Sequence, residues 1–322
     1  MKALVLRQYG LSGAQVEDVE TPIPGENHIL IKVRAASLND WDLGIIEGKP
    51  LALRPMYGLF KPKIRTPGCD VAGTVLSVGA KVSRFKEGDA VYGDLHDCGF
   101  GSLAEYALAR EQDLMPMPAS LSFEQAAALP HAATLAWQAI HDDLERYAGG
   151  SLLINGAGGG VGPIALQLAK LKRMTVTGVD RASKLAALQE QGFDAVLDGE
   201  AEDFTRQGKA YDLILDVQTR KSPGDYLRAL KPGGTYVTVG GALPKLLTIG
   251  LLGRFFGRAQ SKQIRLLALK ANVGLEALHA VFELGQVRPI IDGPYPLEAV
   301  QEALQRYRQS RQVGRVVIVM GQ

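Results

Sequence analysis

Asn155-Gly-Ala-Gly-Gly-Gly-Val-Gly162 is a glycine-rich stretch that follows the apolar run Ser151 to Asn155 and precedes an amphipathic segment, Pro163 to Lys172. Glycines at such a junction let the chain turn tightly, let backbone N–H groups approach a pyrophosphate, and let the helix pack close to the sheet. Val161 stands where the strict G-x-G-x-x-G spacing has its third glycine. A turn that merely joins strand to helix is the alternative, but five glycines in seven residues cost too much conformational entropy for that. The stretch therefore predicts nucleotide binding, with contacts from Gly158, Gly159, Gly160, Val161 and Gly162.

Helices and short apolar strands alternate on both sides of this stretch. The predicted helices are Phe123 to His141, Pro163 to Lys172 and Ser183 to Gln191, and the predicted strands are Ser151 to Asn155, Thr175 to Asp180, Ala195 to Asp198, Tyr211 to Val217 and Gly234 to Gly240. Such alternation is typical of right-handed βαβ units and a parallel sheet covered on both faces. Residues 121–289 are therefore predicted to form a doubly wound α/β domain.

The first third of the chain has a different pattern, with short β-rich runs between Gly and Pro residues. These runs are Ala3 to Leu6, Ile29 to Val33, Val71 to Val78 and Asp89 to Tyr92. They predict a separate, mostly antiparallel β domain over residues 1–120, and a length of 322 residues also favours two domains. Near the end, a helix over Leu297 to Arg308 and a strand over Arg315 to Val319 either extend the parallel sheet or return to the first domain. The local pattern leaves both possibilities open.

Composition excludes several classes of protein. Hydrophobic residues make up 46% of the chain and the formal net charge is only +2, so neither a disordered chain nor a nucleic-acid-binding protein is expected. The two cysteines cannot form a disulfide framework or a four-cysteine zinc site, which fits a cytoplasmic protein. No apolar run approaches the length of a membrane span. Residues 243–270, rich in Leu, Phe, Lys and Arg, are expected to cap the active site, form a dimer surface or lie on a membrane, in that order of preference.

Residues at the ends of the predicted parallel strands indicate which coenzyme binds. Asp180 ends the strand after the glycine stretch, where an acidic residue holds a ribose 2′-hydroxyl and so favours NADH. Arg181 and Lys184 lie beside it and either pair with the 2′-phosphate of NADPH or form a solvated helix start. At the same carboxyl edge, Val217 and Gly240-Gly241 are predicted to lie near the nicotinamide.

Several motifs together resemble the medium-chain dehydrogenase/reductase superfamily, in its zinc-free quinone-oxidoreductase branch. They are Ala35-Ala-Ser-Leu-Asn-Asp-Trp-Asp42, Pro67-Gly-Cys-Asp-Val-Ala-Gly-Thr-Val75, Val78-Gly79, Phe85-Lys-Glu-Gly-Asp-Ala-Val-Tyr92, Gly101-Ser-Leu-Ala-Glu-Tyr106, Ala157-Gly-Gly-Gly-Val-Gly162 and Leu230-Lys-Pro-Gly-Gly234. The resemblance implies a GroES-like domain over 1–120, rejoined by about 290–322, and a Rossmann domain over 121–289. It also implies a homodimer that transfers hydride from NAD(P)H to a small carbonyl, enone, enal or quinone in the cleft between the domains.

The resemblance also bears on zinc and on the coenzyme. Zinc-dependent relatives have a Cys ligand where this chain has Asn39, and Gly-His-Glu where it has Gly68-Cys69-Asp70. Asn is a poor zinc ligand, so no zinc is expected. Members that use NADPH often carry a small or hydroxyl residue where this chain has Asp180. The family favours NADPH and the local chemistry favours NADH, and NADPH is slightly preferred here.

Without zinc, side chains must stabilise the oxyanion that forms on the substrate. Asn39 and Tyr57 are the predicted donors and Asp42 is predicted to orient its neighbours, although Asn39 also suits a capping role. The resemblance places Thr134 and Arg315 near the coenzyme; the alternatives are a packing threonine and a surface arginine. His131 is expected to be structural. The sequence therefore predicts a zinc-independent NAD(P)H-dependent oxidoreductase, with a noncatalytic NAD(P)-binding sensor or interaction protein as the alternative.

Overall fold

A computed structural model describes residues 1–208, 210–258 and 261–321. Residues 259 and 260 of the predicted segment 243–270, residue 209 of the predicted Rossmann range and residue 322 of the predicted returning segment lie outside the described residues. Contacts between Cα atoms divide the chain into two compact units. The first unit comprises Met1–Thr134 with Ala271–Gln322, and the second unit comprises Leu135–Lys270.

Short strands dominate the first unit up to Thr134. Its elements there are β1 (Lys2–Leu6), β2 (Ala14–Asp18), β3 (His28–Ser37), α1 (Asp40–Glu47), α2 (Arg54–Tyr57), β4 (Asp70–Val78), β5 (Ala90–Asp94), β6 (Tyr106–Arg110), β7 (Met115–Pro116), α3 (Phe123–Ala127) and the start of α4 (Pro130–Arg146). The prediction of one helix over Phe123 to His141 was wrong. The helix is interrupted before Pro130, which lacks an N–H for a helical hydrogen bond and begins the second helix.

The second unit alternates strands and helices as predicted. Its elements after α4 are β8 (Ser151–Asn155), α5 (Val161–Leu171), β9 (Thr175–Asp180), α6 (Leu185–Glu190), β10 (Ala195–Asp198), β11 (Tyr211–Asp216), α7 (Pro223–Ala229), β12 (Leu230–Thr238), α8 (Leu243–Arg258) and β13 (Gln263–Leu266). Within the described ranges, the six strands form a parallel sheet in the order β10-β9-β8-β11-β12-β13. The predicted doubly wound sheet is confirmed. Its strand order reverses between β8 and β11, where ligands bind in open α/β sheets.

The last part of the chain returns to the sheet of the first unit. Its elements are α9 (Leu275–Glu283), β14 (Ile291–Pro296), α10 (Val300–Arg308) and β15 (Arg315–Val319). β15 pairs with β14 in parallel and with β3 in antiparallel register, so that Val317 lies opposite Ser37. In the described part of the chain this sheet has the order β14-β15-β3-β4-β5-β7, and β6 also pairs with β3. The question that the sequence left open is therefore answered in favour of the first sheet.

The first unit includes residues beyond the predicted ranges 1–120 and 290–322. α9 packs near the end of the predicted first domain, since the Ala119 N–H donates to Glu283 Oε1 at 2.8 Å and the Ser120 hydroxyl donates to the Phe282 carbonyl at 2.9 Å. These bonds join α9 to the chain segment that leads into α3.

The second unit has a core of buried apolar side chains along its central strands. Leu213, Ile214 and Leu215 on β11 are all 0% exposed, as expected for a strand covered on both faces. Tyr226 on α7 stacks on Tyr236 of β12, with ring centroids 4.1 Å apart. The phenol group of Tyr236 donates to the buried carboxylate of Asp216, so the polar atoms at this end of β11 are satisfied.

The described part of the segment 243–270 includes α8 and β13 of the second unit. Leu243, Leu247 and Leu251 follow one another at intervals of four on α8 and are 38%, 56% and 81% exposed. None of the helices within the described residues combines the length and the apolar character that a bilayer crossing requires. The role of this segment stays a prediction.

Two glycines at matching helix positions provide a test of the packing at the start of α5. Gly162 is the second residue of α5, and an added Cβ would lie 2.1 Å from the Ala157 carbonyl oxygen. Gly224 is the second residue of α7, and the nearest atom to an added Cβ, Ser222 Oγ, is 3.9 Å away. We expect Gly162→Ala to lower the free energy of unfolding by about 1–3 kcal/mol through overpacking. Gly224→Ala should leave it unchanged or raise it by about 0.4–1 kcal/mol.

Urea denaturation followed by circular dichroism measures both variants against the parent. Equal stability of Gly162→Ala and Gly224→Ala would contradict the close approach of α5 to the turn before it.

Candidate functional site

The glycine-rich stretch forms the turn between β8 and α5. Gly156 has a φ of +85°, which residues with a Cβ rarely adopt. Gly162 lies against the Ala157 carbonyl, with no room for a side chain. The two glycines are therefore required by the conformation of the turn and by the close packing of α5 on it.

The N-terminus of α5 suits an anionic ligand. Gly160 is the N-cap residue and forms no side-chain hydrogen bond to the helix, so the helix N-terminus is presented by a residue without a side chain. The N–H groups of a first helical turn have no intrahelical partner, and the helix dipole gives this end partial positive charge. This helix end has the chemistry that a pyrophosphate requires, and the contacts of Gly159, Gly160 and Val161 with a coenzyme stay a prediction.

Asp180, at the end of β9, faces the glycine turn. Its Oδ2 accepts from the Gly158 N–H at 2.8 Å, and its Oδ1 accepts from the Arg181 N–H at 2.9 Å. Its side chain is only 4% exposed. Gly158 is predicted to contact the coenzyme, but its N–H donates a hydrogen bond to Asp180.

The two basic residues beside Asp180 have different environments. Lys184 is 4% exposed, and its ammonium group lies 3.9 Å from Asp180 Oδ1. Arg181 has a side chain that is 45% exposed, and its Nε lies 3.4 Å from Glu200 Oε1. Lys184 thus partly neutralises Asp180 inside the protein, whereas Arg181 lies at the surface.

A pocket lies at the carboxyl ends of β9 and β11 in the second unit, beside Asp180. Its charged lining residues are Asp180, Arg181, Glu200, Glu202, Arg220 and Lys221, and its apolar ones include Val179, Phe204 and Tyr226. Glu200, Glu202, Arg220 and Lys221 were not predicted from the sequence. Arg220 and Lys221 lie in the loop after β11, which ends at Asp216, and their place beyond a strand end is a signal in the sequence that could have indicated them.

Val217, Gly240 and Gly241 lie near the glycine turn or near the loop after β11. The Val217 N–H donates to the Asn155 carbonyl at 2.9 Å, and its Cβ lies 3.2 Å from where a Cβ of Gly156 would be. A Cβ on Gly240 would lie 3.0 Å from the Val217 carbonyl oxygen. Gly241 has a φ of +137° and packs so closely on Thr219 that a Cβ would not fit. The structure thus brings these predicted residues together at the carboxyl edge of the sheet.

In the first unit, Asn39 is the N-cap of α1 and forms a capping box with Asp42. The Asn39 side-chain oxygen accepts from the Asp42 N–H at 3.1 Å, and Asp42 Oδ2 accepts from the Asn39 N–H at 3.0 Å. Asp42 Oδ1 also accepts from the Gly68 N–H at 3.0 Å. Burial, together with the nearby charge of Asp70, raises the pKa of Asp42 to about 7. The predicted orienting role of Asp42 rests on these bonds.

Arg315 on β15 pairs with Asp70 inside the first unit. The guanidinium contacts Asp70 Oδ2 and donates to Ser37 Oγ at 2.6 Å, and its side chain is 6% exposed. Asn39 Nδ2 donates to the same Asp70 oxygen at 3.4 Å. Arg315 is therefore a buried residue and not a surface one, and its predicted contact with the coenzyme stays a prediction.

His131 also belongs to this buried cluster. Its backbone N–H donates to Asp70 Oδ1 at 2.8 Å, because the first turn of α4 has no helical acceptor for it. Its Nδ1 lies 2.9 Å from Asp94 Oδ2. Asp94 was not predicted from the sequence to belong to the site.

Tyr57 and Thr134 are the remaining predicted site residues, and both lie in the first unit. Tyr57 ends α2 and is half-buried, with its ring at the edge of Trp41. Burial raises the pKa of Tyr57, so its hydroxyl stays protonated at neutral pH. Thr134 is 0% exposed and donates its hydroxyl to the Pro130 carbonyl one turn earlier on α4. Thr134 thus has the local bond of a packing threonine.

The exposed cap of α5 provides a test of anion binding. Gly160 has φ −69° and ψ −37°, a conformation open to any residue, so substitution there does not strain the backbone. We expect Gly160→Asp to reduce NAD(P)H binding at least about 100-fold, because its carboxylate repels the pyrophosphate. Gly160→Asn is the control of the same size without the charge and should bind much better. Fluorescence titration of both variants measures this, and equal affinities would contradict the assignment.

Two family models match the chain. The alcohol dehydrogenase GroES-like domain matches residues 25–119, and the zinc-binding dehydrogenase model matches residues 191–318. The first range lies within the first unit, which confirms the predicted GroES-like domain beside the Rossmann-type one.

Relatives with named activities match over nearly the whole chain. An NADPH-dependent alkenal/one oxidoreductase of Arabidopsis thaliana is 31% identical over 99% of this chain and 79% of its own length. A quinone oxidoreductase of Mus musculus is 31% identical over 94% of this chain and 92% of its own. The solved quinone oxidoreductase from Coxiella burnetii is 28% identical and covers 99% of both chains with a TM-score of 0.86.

These relatives support the oxidoreductase prediction and not the noncatalytic alternative. Together with the glycine turn at the N-terminus of α5, they show that the chain is an NAD(P)H-dependent oxidoreductase and belongs to the quinone-oxidoreductase branch of the medium-chain dehydrogenase/reductase superfamily.

Proposed function

We propose that this chain reduces enones, enals or quinones with NADPH and without a metal ion. The observation that carries the proposal is the contact between Asp180 and the glycine turn, which occupies the carboxylate that would otherwise select NADH. The coenzyme, when bound, supplies the hydride. The residues of the chain hold the pyrophosphate, orient the substrate and supply hydrogen bonds to its oxygen.

The preference for NADPH follows from the charges around Asp180. Both oxygens of Asp180 accept a backbone N–H group and Lys184 lies beside one of them, so this carboxylate has fewer free lone pairs and less net charge to offer a ribose diol. Arg181, Arg220 and Lys221 line the neighbouring pocket and suit a 2′-phosphate, although Glu200 and Glu202 offset part of their charge. The NADPH-dependent alkenal/one oxidoreductase of Arabidopsis supports the same choice.

Dissociation constants for NADPH and NADH provide the test of coenzyme choice. The parent should bind NADPH more tightly, and Arg181→Ala should weaken NADPH about 10–100-fold while NADH changes little, since a charge-assisted hydrogen bond is lost. Lys184→Ala should weaken NADPH more than NADH, because the charge of Asp180 is then unbalanced near the phosphate. Arg206→Ala is the control, since Arg206 lies outside the pocket and its side chain is 81% exposed.

Turnover is measured on the same proteins as loss of NADPH absorbance with a quinone and with an enone. A parent that prefers NADH, with Arg181→Ala and Lys184→Ala both silent, would show that Asp180 turns to hold the ribose diol.

We propose that the chain binds no zinc, because of the residues it has where zinc-dependent relatives have their zinc ligands. The side chain of Asn39 is used in capping α1 and in binding Asp70. The Cys69 thiol is buried and contacts Asp42 Oδ1 at 3.7 Å, so it already has a partner inside the protein. Within the described residues, no group of three His, Cys, Asp or Glu side chains is arranged to hold a metal ion.

A chelator experiment follows from this chemistry. Dialysis against EDTA should leave NADPH-dependent reduction at the level of the untreated protein, and added zinc should not increase it. Elemental analysis of the same samples shows whether metal was present at the start. Activity that is lost on dialysis and restored by zinc, and not by magnesium, would contradict the proposal.

The substrate oxygen is proposed to bind donors of the first unit. An amide nitrogen carries two hydrogens; Asn39 gives one to Asp70 and also bonds to the Cys69 thiol, so a substrate oxygen would take the place of that thiol. The protonated hydroxyl of Tyr57 is the second proposed donor. Asp42 fixes Asn39 by accepting its backbone N–H. A homodimer remains a proposal that rests on the family resemblance, and a cytoplasmic location one that rests on the two cysteines.

A further inference from the structure

We propose that His131 is the proton donor of the reduction and that Asp94 positions its ring. The inference rests on the proposed function and adds the second half of the reaction, the step that follows hydride transfer. His131 and Asp94 are 37 positions apart in the chain and meet inside the first unit.

The geometry fixes the imidazole of His131 at one nitrogen. Nδ1 is 2.9 Å from Asp94 Oδ2, in a pair whose side chains are 7% and 0% exposed. Within the described residues no group forms a hydrogen bond with Nε2, and the backbone N–H of His131 is held by Asp70. A carboxylate that binds Nδ1 orients the ring and favours a proton on both nitrogens. Nε2 is thus the nitrogen that can give a proton to a ligand.

Asp94 is itself held rigidly. Its Oδ1 accepts from the His96 N–H at 2.8 Å, and Asn272 bonds to both its backbone N–H and its carbonyl at 2.8 Å. Its other carboxylate oxygen, Oδ2, contacts His131 Nδ1. Asp94 is therefore a positioning residue, which acts on the substrate through His131.

The charged groups around His131 favour its protonated form. Asp94 faces it from β5 and Asp70 from β4, while Arg315 faces it from β15 and Asp42 from α1; His96 lies beyond Asp94. Burial opposes a charge on His131, but the hydrogen bond and the charge of Asp94, with that of Asp70, outweigh it and raise the pKa of His131. Burial likewise opposes ionisation of Asp94, but the bond to His131 outweighs it and lowers the pKa of Asp94.

His131 also lies beside the proposed oxyanion donor. Asp70 Oδ1 accepts from the His131 N–H, and Asp70 Oδ2 accepts from Asn39 Nδ2. One buried carboxylate therefore anchors a group suited to bind the substrate oxygen and a group suited to protonate the product.

The atoms and electrons of the step balance. The β-carbon of an enone gains a hydride, with its two electrons, from the reduced coenzyme, and the substrate becomes an enolate. The Nε2–H bond of His131 then breaks, and its proton bonds to the α-carbon or to the oxygen of the enolate. The neutral imidazole takes a proton from water, so one enone, one reduced coenzyme and one proton yield a saturated carbonyl and oxidised coenzyme.

The test compares His131→Asn, Asp94→Asn and a control, His279→Asn, whose side chain is 36% exposed and pairs with Glu283. His131→Asn should lower kcat with an enone about 100-fold or more and leave the Kd for NADPH unchanged. In the parent, kcat should fall as pH rises through the pKa of His131, because the donor is then deprotonated. Asp94→Asn should move that midpoint down by about 1 pH unit or more. His279→Asn should match the parent.

NMR of protein labelled with 13C at histidine Cε1 supplies a readout independent of activity. The His131 signal is assigned by its loss in His131→Asn, and its titration midpoint in the NADPH-bound parent should equal the midpoint of kcat/KM for the enone at saturating NADPH, since both report the protein before the enone binds. Both midpoints should move together in Asp94→Asn. Should His131→Asn fail to fold, the parent and Asp94→Asn alone decide the question by this comparison.

An unchanged kcat in folded His131→Asn, or NMR and kcat/KM midpoints that differ, would overturn this inference while the proposed function stands. A parent that oxidises no NADPH with any enone or quinone would overturn the proposed function and this inference with it.

Discussion

The buried carboxylate of Asp70 is the constraint on which the candidate site of the first unit depends. It is 0% exposed, and it is held by the guanidinium of Arg315, the hydroxyl of Ser37, the amide of Asn39 and the N–H of His131. A buried charge is tolerated only when paired, and removing one partner of such a pair costs about 3–5 kcal/mol. Because the partners come from β3, α1, α4 and β15, one charge fixes the relative positions of elements that are far apart in the chain. Stability and the placement of the proposed reactive groups thus have a common cause.

The second unit was predicted from the sequence more accurately than the first. The strands Ser151–Asn155, Thr175–Asp180 and Ala195–Asp198 have the predicted bounds, because buried parallel strands are short apolar runs bounded by turn residues. The pairing of β15 with β3 joins residues far apart in the chain and leaves no local pattern, so only the family resemblance predicted that this segment returns to the first domain. The break before Pro130 has a local signal, the proline itself, but the sequence prediction did not include it.

The candidate site shows the same division between local and distant information. The glycine turn is a local motif, so its residues and its neighbours in the helix were predicted correctly as a strand–turn–helix. The direction in which Asp180 points depends on the N–H of Gly158, which is 22 positions away, and no pattern around Asp180 encodes it. The contact between His131 and Asp94 likewise depends on how β5 and α4 pack. Asn39 caps α1 through its side-chain oxygen, and its proposed contact with the substrate uses its side-chain nitrogen. One side chain can therefore have both roles.

The return of β15 to the first sheet has a consequence for the order in which the molecule can form. The second unit lies within one continuous stretch, Leu135–Lys270, so its six described strands exist as soon as β13 has been synthesised. The first sheet lacks β14 and β15 until residues 291–319 have been synthesised, and until then Asp70 lacks Arg315. Since domains fold as units during synthesis, the inserted unit can complete its sheet while the first sheet still lacks two strands and the ion pair of Asp70. The sheet that contains β3 and β4 is therefore completed after the sheet whose strands all follow them in the sequence.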